Sequence, residues 1–92
     1  MTTLSKSFGA TVRQHRINLG LSQEKFAEKA GVSRNFQGSV ERGESSLSLD
    51  VAGRFALTLG MKLSELLVKV EQGISPASTG RKRVRATAVS DQ

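Results

Sequence analysis

Ser22–Gly43, SQEKFAEKAGVSRNFQGSVERG, is the stretch that decides the fold. Ser22 is an N-cap residue, and Gln23 and Glu24 follow in the first turn, where polar and negative groups suit the helix dipole. Phe26, Ala27 and Ala30 then share one narrow apolar face of a helix about two turns long. Gly31 stands where that helix needs a left-handed residue to stop. Val32 follows, then Ser33, a second N-cap, and a second helix is predicted to run to about Arg42 before Gly43 ends it. Two short helices joined by a tight, glycine-containing turn form a helix-turn-helix signature.

The second helix has two distinct sides. Val32, Phe36 and Val40 recur every four residues and make the apolar one. Asn35, Ser39 and Arg42 make the other, with Arg34 and Gly38 beside them. That side has donors and acceptors, no apolar bulk and no carboxylate. Two readings of it stand open: a surface for base edges in a major groove, or an ordinary solvated face.

Gln23, Ala27, Gly31, Val32, Val40, Glu41 and Gly43 occupy the positions that such residues hold in the lambda-repressor-like (Xre) family of helix-turn-helix proteins. The resemblance extends from about Phe8 to Leu67. Within it GSVERGE, Gly38–Glu44, is similar to the version in restriction-modification controller proteins and related small regulators. It implies an all-α, compact five-helix domain that binds DNA. It also implies that Arg16 on the first helix meets Glu41 at the end of the recognition helix and locks the angle between them. One departure from the family matters most: Gln37 stands where the family usually has a buried aliphatic, and His15 also replaces an aliphatic. Gln37 therefore lies at the edge of the core or turns toward DNA.

Ninety-two residues make one small domain, with stability that a partner subunit can supplement. There is no cysteine, hence no disulfide framework and no thiolate metal site, in keeping with a reducing cytosol. No run approaches ~18 apolar residues, so no membrane-spanning helix is expected, and the N-terminal residues lack the apolar core of a signal peptide. A cytoplasmic protein without membrane contact is the expectation. The net charge of +6 favours a polyanionic partner. Half of it sits in the last stretch: residues 1–72 carry ten Lys or Arg against seven acids, and residues 73–92 carry Arg81, Lys82, Arg83 and Arg85 against Asp91.

Met1–Thr3 are expected to fray. A first helix is predicted from Leu4 or Ser5 to about Asn18, with Phe8, Val12, His15 and Leu19 on one face and Gly20 as its stop. His15, the single histidine, reads as a half-buried packing residue, having no second His or Cys to join it as a ligand. Ser48 caps a helix carrying Leu49, Ala52, Phe55, Ala56 and Leu59, with Gly60 as its end; Ser64 caps a last one through Leu66, Leu67 and Val70. Met61, Leu63, Leu67, Val68 and Val70 exceed what one short helix needs for its own core. Either all face inward, or Met61, Leu63, Leu67 and Val70 form a homodimer interface, the commonest kind of assembly. Residues 1–72 are thus expected to be a helix-turn-helix domain and residues 73–92 a disordered basic tail, holding phosphates or merely solubilising.

The function expected is that of a sequence-specific, dimeric regulator on a palindromic double-stranded DNA operator. Ser33, Arg34, Asn35 and Ser39 are the base-contacting candidates, since Arg pairs bidentately with guanine and Asn with adenine. Arg13, Gln23, Lys25 and Arg42 are the phosphate-contacting ones. The alternative is an antitoxin that binds DNA and a toxin partner. An enzyme is set aside: there are no paired carboxylates in an apolar setting and no Gly-rich phosphate loop, and no cofactor, metal or catalytic residue is expected.

Overall fold

Side-chain hydroxyls open three of the five helices. In the structure, a computed structural model that describes residues 3–73, the Oγ atoms of Ser22, Ser33 and Ser48 accept the backbone N–H of Lys25, Phe36 and Val51 at 3.0–3.1 Å. Each bond satisfies one of the donors that the first turn of a helix leaves without an internal partner. The elements are α1 (Thr3–Asn18), α2 (Gln23–Ala30), α3 (Arg34–Glu41), α4 (Leu49–Thr58) and α5 (Leu63–Gln72), with no strand among the described residues. Gly31 ends α2 at φ 75°, and its N–H returns to the carbonyls of that helix. The basic tail expected over residues 73–92 lies, after Gly73, outside the described residues.

α1 packs on α3 and α5, α2 on α3 and α4, and α4 on α5. The core they enclose contains Phe8, Val12, Phe26, Ala30, Val40, Ala52, Phe55, Ala56, Leu66 and Val70. Phe55 is its hub. Phe26 meets that ring edge-on at 5.5 Å between centroids and 81°, and Phe8 lies tilted against it at 6.2 Å. Burying each such side chain is worth ~1.5–3 kcal/mol.

Four expectations need correction. Thr3 is the first residue of α1 rather than frayed chain. Leu19 is 52% exposed, because it lies past Asn18, where the helical period no longer applies. Arg16 instead completes the inner side of α1 after Phe8, Gly9 and Val12. The last helix starts at Leu63, not after Ser64: the Glu65 carboxylate reaches back to accept the Lys62 N–H at 2.7 Å, which draws the start of the helix two residues earlier. Val70 is fully buried among core side chains, so it belongs to the monomer's interior and is not available to a partner. Met61, Leu63 and Leu67 are partly buried against the same core.

Gly9 places α1 directly on α3. A Cβ there would overlap the Val40 carbonyl oxygen and stand 2.9 Å from that of Glu41. The absence of a side chain therefore lets two backbones touch, and this contact sets the depth at which α3 sits.

Candidate nucleic-acid interface

The orientation of α3 is set by one buried carboxylate. Arg16 donates to Glu41 through Nε at 2.7 Å to Oε2 and Nη2 at 3.1 Å to Oε1, a two-pronged pair between α1 and α3. The remaining guanidinium nitrogen, Nη1, donates to the Leu21 carbonyl at 2.7 Å and ties in the chain entering α2. Gln23, the first residue of α2, donates from Nε2 to Glu41 Oε1 at 3.1 Å. Gln37, one turn before Glu41 in α3, donates to Oε2 at 2.8 Å. Three helices thus converge on one acceptor.

Burial of Glu41 pushes its carboxyl pKa up. The hydrogen bonds from Arg16, Gln37 and Gln23 and the Arg16 charge more than offset that and hold it below the ordinary carboxylate value. Gln37 is wholly buried, which resolves its position in favour of the core rather than DNA. Its Oε1 is buried without a hydrogen-bond partner among the described residues.

The other side of α3 is open. Arg34 and Asn35 are exposed, and their side chains form no hydrogen bond or ion pair among the described residues. They stand in the first turn of the helix, beside Ser33, whose Oγ accepts the capping N–H with one lone pair and keeps its proton free to donate to a ligand. Ser39 is half-buried and hydrogen-bonded to the Ser45 hydroxyl in the loop after α3. One of the two hydroxyl protons is spent between them, leaving the other for a ligand.

The flanks carry further cations. Arg42 is exposed and donates from Nε to Glu44 at 3.0 Å, while its Nη1 lies 3.1 Å from where a Gly38 Cβ would be. The Gln23 amide lies over the same glycine at 3.7–3.8 Å, so Gly38, expected on the open face, is buried beneath two polar side chains. Lys25 and Arg13 are exposed, Lys25 at 3.9 Å from Glu28. Arg34, Asn35, Arg42 and Gln23 are thus brought onto and beside α3. Ser45, Glu44 and Gly9 were not singled out from the sequence. A glycine inside a helical period, as at Gly9, is a signal of close approach; nothing in the pattern of Glu44 or Ser45 marks them.

No helix among the described residues is long and apolar enough to cross a membrane. A family model described as Helix-turn-helix matches residues 12–66. The chain is 40% identical over 63 residues to an uncharacterized HTH-type transcriptional regulator of Methanothermobacter thermautotrophicus, covering 67% of this chain and 91% of that one. Control protein C.BamHI of Bacillus amyloliquefaciens is 36% identical over 61 residues, 65% of this chain and 75% of its own. Among solved structures, the restriction-modification controller protein C.AhdI of Aeromonas hydrophila superposes with a TM-score of 0.65 at 37% identity, covering 67% of this chain and 94% of that one.

Proposed function

The chain belongs to the helix-turn-helix family of DNA-binding transcriptional regulators, and from that premise we propose that it binds a palindromic operator as a homodimer, with α3 in the major groove, as a restriction-modification controller. The observation that carries the reading is the contrast between the two sides of α3. Its inner side is locked to α1 and α2 through Glu41, and its outer side presents Arg34 and Asn35 unengaged at the first turn. Side chains at the N-terminal end of such a helix are the ones that reach base edges. In this reading Arg34 pairs with guanine and Asn35 with adenine, while Ser33 and Ser39 each donate a single proton. Gln23, Arg13, Lys25 and Arg42 hold phosphates on either side and set register.

The homodimer seam in this proposal draws on Leu67, Leu63 and Met61, without Val70. Leu67 lines a groove of about 290 Å³ together with Leu4, Phe8, Leu47, Leu49 and Ala52. Leu4 and Leu49 on its rim are 54% and 76% exposed. A second copy that covers these leucines removes apolar surface from water and relates two recognition helices by symmetry. The relatives named above are transcriptional and control proteins, and the antitoxin alternative gains no support from them.

Selection of bound sites from random duplex DNA tests the reading. The expected result is a palindrome with half-sites one helical turn apart, ~34–36 Å, and a dimer mass for the protein on that duplex. A single asymmetric motif bound by one chain would remove the dimer, and no enriched motif would remove sequence-specific binding.

A further inference from the structure

We infer that Gln37, a buried residue with no access to DNA, is a positioning residue that lets Gln23 leave Glu41 for a DNA phosphate; this rests on the reading of α2 and α3 given above. The Gln23 amide is not idle, because its Nε2 donates to Glu41 Oε1. A phosphate at the start of α2 competes for that same N–H. Withdrawing a donor from a buried carboxylate is costly unless other donors remain.

Here they do. Without Gln23, Oε1 still accepts Arg16 Nη2, and Oε2 still accepts both Arg16 Nε and Gln37 Nε2. The Gln23 bond, at 3.1 Å, is longer than the 2.8 Å bond from Gln37. Gln23 is also half-exposed, whereas Gln37 is wholly buried. Gly38 puts no side chain beneath the Gln23 amide, whose Oε1 and Nε2 lie 3.7 and 3.8 Å from the glycine's Cβ position, with Arg42 Nη1 at 3.1 Å. Gln37 performs this service at a cost, with its own Oε1 left unpartnered in the interior. An aliphatic residue at 37 would avoid that cost but leave Oε2 with Arg16 alone, and the carboxylate would then hold Gln23 more firmly.

A double-mutant cycle on a duplex carrying the selected site tests this. Affinity is measured for the unmodified chain, Gln37→Met, Gln23→Ala and the double variant, with the helical signal recorded for each. With Gln23 present, Gln37→Met is expected to weaken binding about three- to tenfold, the scale of one hydrogen bond. In the Gln23→Ala background the same change is expected to have less than about a twofold effect. A scrambled duplex is expected to show the same loss, because a phosphate contact carries no base information. The slope of log affinity against log salt should stay unchanged, since no charge is removed.

A loss of equal size in both backgrounds would assign Gln37 to packing and overturn the inference. No loss in either would do the same. Partial unfolding of Gln37→Met lowers affinity in both backgrounds alike and cancels in the cycle. Failure of the unmodified chain to bind any duplex would remove the proposed function along with the inference, whereas binding without coupling would remove the inference alone.

Discussion

At Gly9 a single missing carbon decides whether α1 reaches α3. Gly9→Ala places a methyl against the Val40 and Glu41 carbonyls, which are backbone and cannot rotate aside. The expected cost is about 3 kcal/mol, at the upper end for overpacking, read as a lowered denaturation midpoint with unchanged denaturant slope. A neutral substitution would show that α1 and α3 separate without penalty. Glu41 gives a second residue-scale expectation. Its pKa is lower folded than unfolded, so its stabilising contribution is full above the ordinary value of 4.5 and is lost as the pH falls through the folded value below it. Thermal scans of the unmodified chain should therefore lose midpoint below about pH 4.5 more steeply than scans of Glu41→Gln. The Gln variant starts from a lower plateau, because it strands Arg16, at a cost of ~3–5 kcal/mol. Parallel acid limbs would show that other carboxyls dominate. The Arg16–Glu41 meeting was implied by family resemblance, but the two glutamines on the same carboxylate were not. A four-donor arrangement drawn from three helices has no signature in one-dimensional spacing.

At the scale of the element, α3 shows what was legible and what was not. The Ser33 start and the burial of Val40 followed from a four-residue apolar period and a capping residue. The polar side was harder, because Gln37, Gly38 and Ser39 are all non-apolar and hydropathy does not say which of them the interior takes. Packing separates them: Gln37 goes to the interior, Gly38 under Gln23 and Arg42, and Ser39 against Ser45. The start of α5 was misplaced by the same kind of limit, since either Ser64 or a Glu65 reaching back can open a helix, and only the fold chooses. Arg34, exposed in the first turn, carries the element's main prediction. Arg34→Ala is expected to weaken cognate binding by ~1–3 kcal/mol and to relax preference at one base per half-site, leaving affinity for scrambled DNA nearly unchanged. Equal losses on both duplexes would make Arg34 a phosphate ligand.

For the whole molecule, charge is divided between a mildly basic body and four cations beyond residue 80. Cutting the chain after Gly73 retains the N–H that closes α5 on the Lys69 and Val70 carbonyls, so the domain is expected to keep its unfolding midpoint. If Arg81, Lys82, Arg83 and Arg85 each meet a phosphate, the truncated chain should bind every sequence more weakly. Its log-affinity against log-salt slope should flatten by up to ~0.9 per lost contact, with base preference intact. An unchanged slope would make residues 74–92 irrelevant to DNA. The direct contact at Gly9 has a last consequence, for time rather than geometry. α3 is only eight residues long, too short to hold its own shape in water, and borrows order from α1. Because the two backbones touch at Gly9 and Arg16 ties α1 to Glu41, a local opening of α3 has to break its contacts with α1. The amides of Val40 and Glu41 should therefore exchange with deuterium only at the rate of global unfolding, and exchange faster than that would reveal a local opening. Such a surface meets DNA already formed, and its association should release little of the heat-capacity change that accompanies folding on binding.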